Sequence, residues 1–284
     1  MHKTTFMYKS FDLDQLDILT CQELLQNAVA PRPICLASTI DLEGRVNLSP
    51  FSFFNMFSYK PPIVIFSVTR RMRDKNTKHT WNNLLEVPEL VVNVVNVEMV
   101  HQISFASADF EKGVNEFKKA GFTELASELV KPPRVLEAPI QMECQVQQMI
   151  PLGDEGGAGN LVLAKVVRMH IQENSFDKNG QLHPLNLNLV ARLGGDWYSK
   201  PTADSLFKLS RPSQVPGMGM DELPEDLRNS KLLSMEEKLV LASLPEIPNN
   251  RRLKKEEELT NNIAQVRFAI RNGKLAEAWE LLTC

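Results

Sequence analysis

PRPICLASTIDLEGRVNLSPFSFFNMFSYKPPIVIFSVTR, residues 31–70, decides how this chain is read. Ile34 to Ile40 and Ile63 to Val68 are rich in apolar and β-branched residues, and turn chemistry bounds each: Asp41-Leu42-Glu43-Gly44 makes a hairpin loop, and Pro61-Pro62 opens the second run. Between them, Pro50-Phe51-Ser52-Phe53-Phe54-Asn55 alternates at the period of a strand. Phe51, Phe53 and Asn55 share one face, while Pro50, Ser52 and Phe54 share the other. Strands in such close succession predict a meander. Ser38, Thr39, Ser52, Asn55 and Ser67 then stand where the inside of a barrel would otherwise be apolar. Any one of these is an ordinary strand residue; the combination points to a polar ligand.

The next segment, Arg70 to Asn83 (RRMRDKNTKHTWNN), crowds Arg70, Arg71, Arg73, Lys75, Lys78 and His79 together and then enters a short helix through Trp81, Leu84 and Leu85. Lys78 and Thr80 fall near the start of that helix, where free backbone N–H groups and the positive end of the dipole suit a phosphate. One charge-assisted hydrogen bond contributes about 1.5–3 kcal/mol, so a few of them hold the phosphate end of a mononucleotide. The other cations of the run are read as a solvated basic loop.

With 284 residues, a net charge of −3 and 43% hydrophobic content, the chain suits a soluble protein with one main domain and an appendage. No apolar run is long enough for a membrane span, and Met1-His2-Lys3-Thr4-Thr5-Phe6 lacks the apolar core of a signal peptide. Cys21, Cys35, Cys144 and Cys284 are scattered, which indicates reduced thiols in a cytoplasmic protein. His101, His170 and His183 have no ligand spacing, so no metal site is expected. No serine sits in a nucleophile elbow, and without a basic-aromatic stripe nucleic acid is a poor partner. Asp109 and Glu116 read as a loop and helix that pack beside the barrel through Phe110 and Phe117.

Along the chain, Thr20 and Glu23 have capping-box spacing ahead of a first helix, and strands continue to about Val97. A helix is expected over 116–119, with strands again over 140–150 and 161–171. Arg192 to Tyr198, Asp204, Phe207 and Arg211-Pro212 close the barrel domain, taken as 1–212. From Ser213, Pro216, Gly217, Gly219 and Pro224 mark a linker, followed by helices. Ser234 and Glu237 have capping-box spacing, Arg251 to Glu258 is charge-dense, and Leu275, Ala278, Trp279 and Leu282 share a helical face, giving a helical extension within 213–284.

Several blocks recur in one order: Pro31-Arg32-Pro33 with Ala37-Ser38-Thr39, Asn47 to Asn55, Pro61-Pro62, Lys78-His79-Thr80 with Asn83, and Leu90 to Val94. Ser107 to Phe117, Ala120-Gly121-Phe122, Pro132-Pro133-Arg134 and Arg192 to Tyr198 complete the series. Over roughly its first two hundred residues the chain resembles the flavin reductase-like family, whose members include flavoredoxins. The resemblance implies a mainly β (α+β) fold, a split Greek-key β-barrel of the FMN-binding type with peripheral helices, here followed by the helical C-terminal extension. By the same resemblance, Ser38, Thr39, Ser52, Phe53, Phe54, Asn55, Ser67 and Thr69 line FMN, and Lys78 with Thr80 holds its phosphate. Arg192 and Tyr198 edge the pocket.

Two positions depart from the family pattern. His79 stands where an Asp is usual, and Asn160 in Gly157-Ala158-Gly159-Asn160 stands where many flavin reductases place a His near the nicotinamide. Asn160 can donate a hydrogen bond but cannot carry a proton. The glycines of 156–159 are a loop between strands rather than a dinucleotide fingerprint, because Leu161 to Val167 reads as strand. The family implies hydride transfer from NADH or NADPH to FMN and onward transfer to an acceptor, with no dedicated catalytic side chain. It also implies a homodimer with FMN at the subunit interface. The alternatives are a flavoredoxin-like FMN carrier between redox protein partners, and a relative of pyridoxamine phosphate oxidase.

Overall fold

Pro50 to Asn55 does not form one strand: the chain bends at Ser52-Phe53, ending a strand over Val46–Phe51 and starting another over Phe54–Tyr59. In the computed structural model, which describes residues 6–209, 216–247, 252–254 and 256–283, these two strands are the opposite edges of a seven-stranded antiparallel sheet. The strands are β1 (Cys35–Ile40), β2 (Val46–Phe51), β3 (Phe54–Tyr59), β4 (Pro62–Ser67), β5 (Glu89–Val94), β6 (Ile140–Pro151) and β7 (Asn160–Ile171). Their spatial order is β2-β1-β5-β6-β7-β4-β3.

That order forces curvature. In a flat sheet six strand spacings would hold the edges about 29 Å apart, whereas the three Cα steps from Phe51 to Phe54 reach at most about 11 Å. The sheet therefore curls until its edges meet. Because β2 pairs with β1 and β3 with β4, but not with each other among the described residues, the barrel is split at the Ser52-Phe53 bend. The expected meander is thus two hairpins at opposite edges. Alternation runs unbroken through a bend of two residues, which is why periodicity does not reveal it.

Both faces of β1 are buried. Cys35 and Ala37 point into the barrel with Phe51, Phe66, Leu90 and Trp81. Ile34 and Leu36 lie on the other side with Leu48, Met99, Ile103 and Phe117. The second group is covered by α3 (Val100–Ala106) and α4 (Glu116–Ala120), and α2 (His79–Glu86) carries Trp81 and Leu84 into the first. The first helix, α1 (Ile18–Ala28), starts at Asp17 rather than at Thr20. The Asp17 carboxylate accepts from the Leu19 and Thr20 N–H groups, both at 3.0 Å, and also takes the Thr20 hydroxyl at 2.6 Å, so Thr20 is inside the helix. A small sheet joins Arg32–Pro33 to Ala191–Arg192 and then to Tyr198–Ser199.

The chain divides into two compact units, Met1–Leu206 and Phe207–Cys284. The second has its own core. It contains α5 (Met235–Leu241), α6 (Glu256–Arg271) and α7 (Leu275–Leu282), around the buried Leu227, Leu241, Val266 and Trp279. Trp279 Nε1 donates to the Leu241 carbonyl at 3.3 Å. Ser234 and Glu237 form the expected capping box on α5, and Ala278, Trp279 and Leu282 are the buried face of α7. Arg211-Pro212, the predicted linker start at Ser213, and Arg251 and Lys255 of the charged run lie outside the described residues. No helix among the described residues is long and apolar enough to cross a membrane.

Candidate functional site

Three adjoining clefts surround β2 and the bend that follows it. The first, about 320 Å³, lies between β2, the start of α2 and the segment after α3. Asn47 and Ser49 project from alternate positions of β2, while Lys78, His79 and Thr80 come from the start of α2. Lys78 is the N-cap residue of α2 but makes no side-chain cap, so its long side chain serves the cleft instead. Its ammonium lies 5.7 Å from the centroid of the Phe51 ring. Burial, and then the Arg71 guanidinium, hold its pKa below the usual lysine value, while Asp109 acts the other way.

Thr80 is fully buried, and its Oγ1 has no hydrogen-bond partner among the described residues. An unpartnered buried hydroxyl costs about 1–3 kcal/mol. Set beside a lysine at a helix start, it fits an anionic oxygen ligand. Nearby, Asp109 takes Arg71 at 2.6 Å and also meets Arg73. Arg70 is held by the Gly153 and Lys75 carbonyls, each at 3.1 Å, and by Asp154. Arg70 and Arg71 are therefore pinned against the protein, while Arg73 and Lys75 stay mostly exposed, as expected of a solvated loop. His79 Nε2 faces the Phe110 carbonyl at 3.2 Å. On the same wall the buried Glu116 accepts the Leu48 N–H at 2.9 Å, and burial pushes its carboxyl pKa up.

The second cleft, about 350 Å³, adjoins the first at Ser107 and is lined by Pro50, Phe51, Ser52, Arg192 and Tyr198. Arg192 lies over the Tyr198 ring, 4.5 Å from its centroid, and donates to the Gly195 carbonyl at 2.5 Å. The third, about 710 Å³, shares Ser52 with the second and Met72 with the first. Ser52, Phe53, Phe54, Asn55, Ser67 and Thr69 line it opposite Ile18, Leu25 and Val29 of the α1 segment, and its walls are mostly apolar. Arg32 also faces it. This buried guanidinium pairs with no carboxylate among the described residues but donates to the Gln26, Val29 and Leu193 carbonyls, at 2.5, 2.5 and 2.8 Å. Burial, and then Arg192, hold its pKa down. Carbonyls at the C-terminal end of α1 thus carry a charge that would otherwise be unmatched.

Three expected ligand contacts are placed elsewhere. Ser38 is fully buried and donates to the Pro133 carbonyl; Thr39, equally buried, accepts from Asn83 Nδ2 at 3.1 Å. Neither lines the three clefts, because each hydroxyl ties a strand to a neighbouring segment. Asn160 is also buried, its Nδ2 donating to the Val68 carbonyl at 2.7 Å, so its amide braces β7 against the end of β4. Residue reading in turn missed Asn47, Ser49, Arg71, Arg73, Ser107 and Asp109 as lining groups. The available signal was the spacing of Asn47 and Ser49, which share one face of β2.

Residues 28–187 match the flavin reductase like domain. An uncharacterized protein of Aquifex aeolicus is 34% identical over 200 residues, covering 70% of this chain and 99% of its own length. Nitrilotriacetate monooxygenase component B from Bacillus cereus superposes with a TM-score of 0.67 at 30% identity, covering 72% of this chain and all of that one (100%). The 2-nitrobenzoate 2-nitroreductase of Pseudomonas fluorescens gives 0.62 at 26% identity, with coverage of 74% and 100%. The domain match and these relatives agree with the split barrel reached from strand order alone, and the chain belongs to the flavin reductase-like family.

Proposed function

We propose that this chain is an oxidoreductase that holds FMN along the first two clefts and moves electrons from NADH or NADPH to an acceptor. The observation that carries the reading is the orphaned Thr80 hydroxyl beside Lys78 at the start of α2. Those two groups would hold the phosphate, with Asn47 and Ser49 toward the ribityl chain and Ser52 beside the ring. Phe53 and Phe54 would cover apolar surface from the third cleft, and Asn55, Ser67 and Thr69 would supply its polar wall. Arg192 and Tyr198 edge the second cleft, where a stacked cation and ring suit a flat partner. The bound flavin supplies the electron chemistry, and the protein supplies position and field.

The likeness to component B of a monooxygenase supports an acceptor outside the chain. Exposed apolar groups on β3 and the bend, Phe53, Met56, Phe57 and Tyr59, support a homodimer in which a second copy covers this edge. Buried free thiols at Cys35 and Cys144 suit the cytoplasm. A second reading, an FMN carrier between redox proteins, is favoured by Asn160, which cannot carry a proton and whose Nδ2 is committed to the Val68 carbonyl.

The test is one absorbance spectrum of the purified protein, followed by anaerobic addition of NADH and then NADPH. Flavin bands that bleach on addition support the reductase and identify its donor. Bands that persist with both, yet bleach with dithionite, favour the carrier. A protein that cannot be loaded with FMN sinks both readings.

A further inference from the structure

The first cleft contains an anion of its own. Asp109 presents one carboxylate oxygen to Arg71 and the other to Arg73, and Arg73 also meets Asp74 at 3.5 Å. The Arg71 guanidinium has a further buried nitrogen, Nε, without a hydrogen-bond partner among the described residues. Lys78 lines the same cleft, where Arg71 acts to lower its pKa and Asp109 to raise it. The ionisable groups that line the cleft are thus Arg71, Arg73, Lys78 and His79 against Asp109 and Glu116, and Glu116 is turned to the Leu48 N–H.

We infer that Asp109 is a built-in competitor for the ligand's phosphate, and that its carboxylate sets how strongly the cleft prefers a phosphorylated flavin over the same flavin without phosphate. The argument rests on three features. The Arg73 arm of the Asp109 bridge is open to water, with side-chain exposures of 39% for Asp109 and 68% for Arg73, and ion pairs of that kind exchange at little cost, whereas the Arg71 arm is more covered. Arg71 and Arg73 line the same cleft as Thr80 and Lys78, so a phosphate held at the helix start lies within the field of both guanidiniums. A phosphate monoester carries about −1.5 to −2 charges at neutral pH, more than one carboxylate, and presents more oxygens to a planar fork. An entering phosphate therefore gains from the guanidiniums only what Asp109 gives up.

This inference rests on the FMN reading, and the experiment separates the two. Dissociation constants for FMN and riboflavin are measured by flavin fluorescence, at low and high ionic strength, for the wild-type chain, Asp109→Asn, and Asp109→Asn combined with Arg73→Gln. The expected result is that Asp109→Asn tightens FMN about tenfold at low ionic strength, the scale of one charge-assisted contact, and leaves riboflavin unchanged. High ionic strength shrinks the gain, and Arg73→Gln removes it. Asp109→Ser, which deletes the same charge with a shorter side chain, must move FMN in the same direction. If FMN affinity is unchanged or falls in both Asp109 variants while riboflavin holds, Asp109 positions the arginines instead and the inference is overturned. If the wild-type chain binds FMN no better than riboflavin, the phosphate reading fails first and takes the inference with it.

Discussion

The ring of Phe51, at the end of edge strand β2, lies 5.3 Å from the ring of Phe66 on β4, the neighbour of the opposite edge. The two planes are tilted by 41°, and the separation is within the range that aromatic pairs favour. Phe66 is in turn the register partner of Phe54. The contact is the apolar seal of the barrel behind the Ser52-Phe53 bend, and the polar lining of the clefts begins directly beside it. A ligand in the second cleft therefore rests against a wall fixed by core packing.

Lys78→Ala and Thr80→Val should each weaken FMN binding by about ten- to a hundredfold, the range of one lost charge-assisted or buried hydrogen bond, with riboflavin hardly affected. Lys78 caps nothing, so its removal should change the melting temperature little. Titration of FMN against each variant checks this, and a Lys78→Ala protein that stays fully loaded through purification counts against the assignment.

The serines divide into two kinds. Ser38→Ala removes a buried hydroxyl and leaves the Pro133 carbonyl unmatched, at a cost of about 1–3 kcal/mol of stability with no loss of flavin affinity at saturating fold. Ser52→Ala should do the reverse, since Ser52 lines two clefts and is only half-buried. Denaturant titration and flavin titration on both proteins decide it; identical behaviour would reject the division.

Glu116 sets a pH dependence with a definite sign. Its carboxyl pKa is raised by burial, so the folded chain keeps the proton to higher pH than the unfolded chain. The stability this group contributes is present below its ordinary value of 4.5 and is lost as pH rises through the higher folded value. Glu116→Gln keeps an acceptor for the Leu48 N–H and no longer titrates. Its melting temperature should gain on the wild type as pH goes from acid to neutral, and parallel melting curves across that range would exclude the effect.

The exposed edge of β3 makes the oligomer testable. Phe57 is 65% exposed and Tyr59 87%, and burying one such ring contributes about 1.5–3 kcal/mol. Sedimentation equilibrium should find a dimer for the wild-type chain and a monomer for Phe57→Asp with its melting temperature retained. A wild-type monomer at every accessible concentration removes the dimer from the proposal.

Local features were legible in the sequence. The Asp41 to Gly44 hairpin, the start of β4 at Pro62 and the Ser234–Glu237 capping box each depend on residues a few positions apart, and each is observed. The family was legible too, since its blocks keep their order through Tyr198. What escaped was set at long range. Ser38 and Thr39 looked free because their partners, Pro133 and Asn83, lie 95 and 44 residues away. Asp109 was set aside as part of a packing loop, and only the fold brings it to Arg71. The break at Ser52-Phe53 escaped for a different reason: the sequence pattern alternates through it, yet the bend brings Phe51 and Phe54, three residues apart, to the same barrel core and leaves Phe53 exposed.

The same bend orders events in time. Its two residues join the sheet's edges, yet the ladder that lets those edges meet requires pairings such as Leu161 with Ser67 and Leu90 with Cys144, which close long stretches of chain. Loop-closure entropy makes such pairings slow, so the clefts are among the last surfaces to be assembled in a folding molecule. A flavin held in those clefts would then be captured only by a chain whose barrel is already complete, and it should slow unfolding more than it hastens folding.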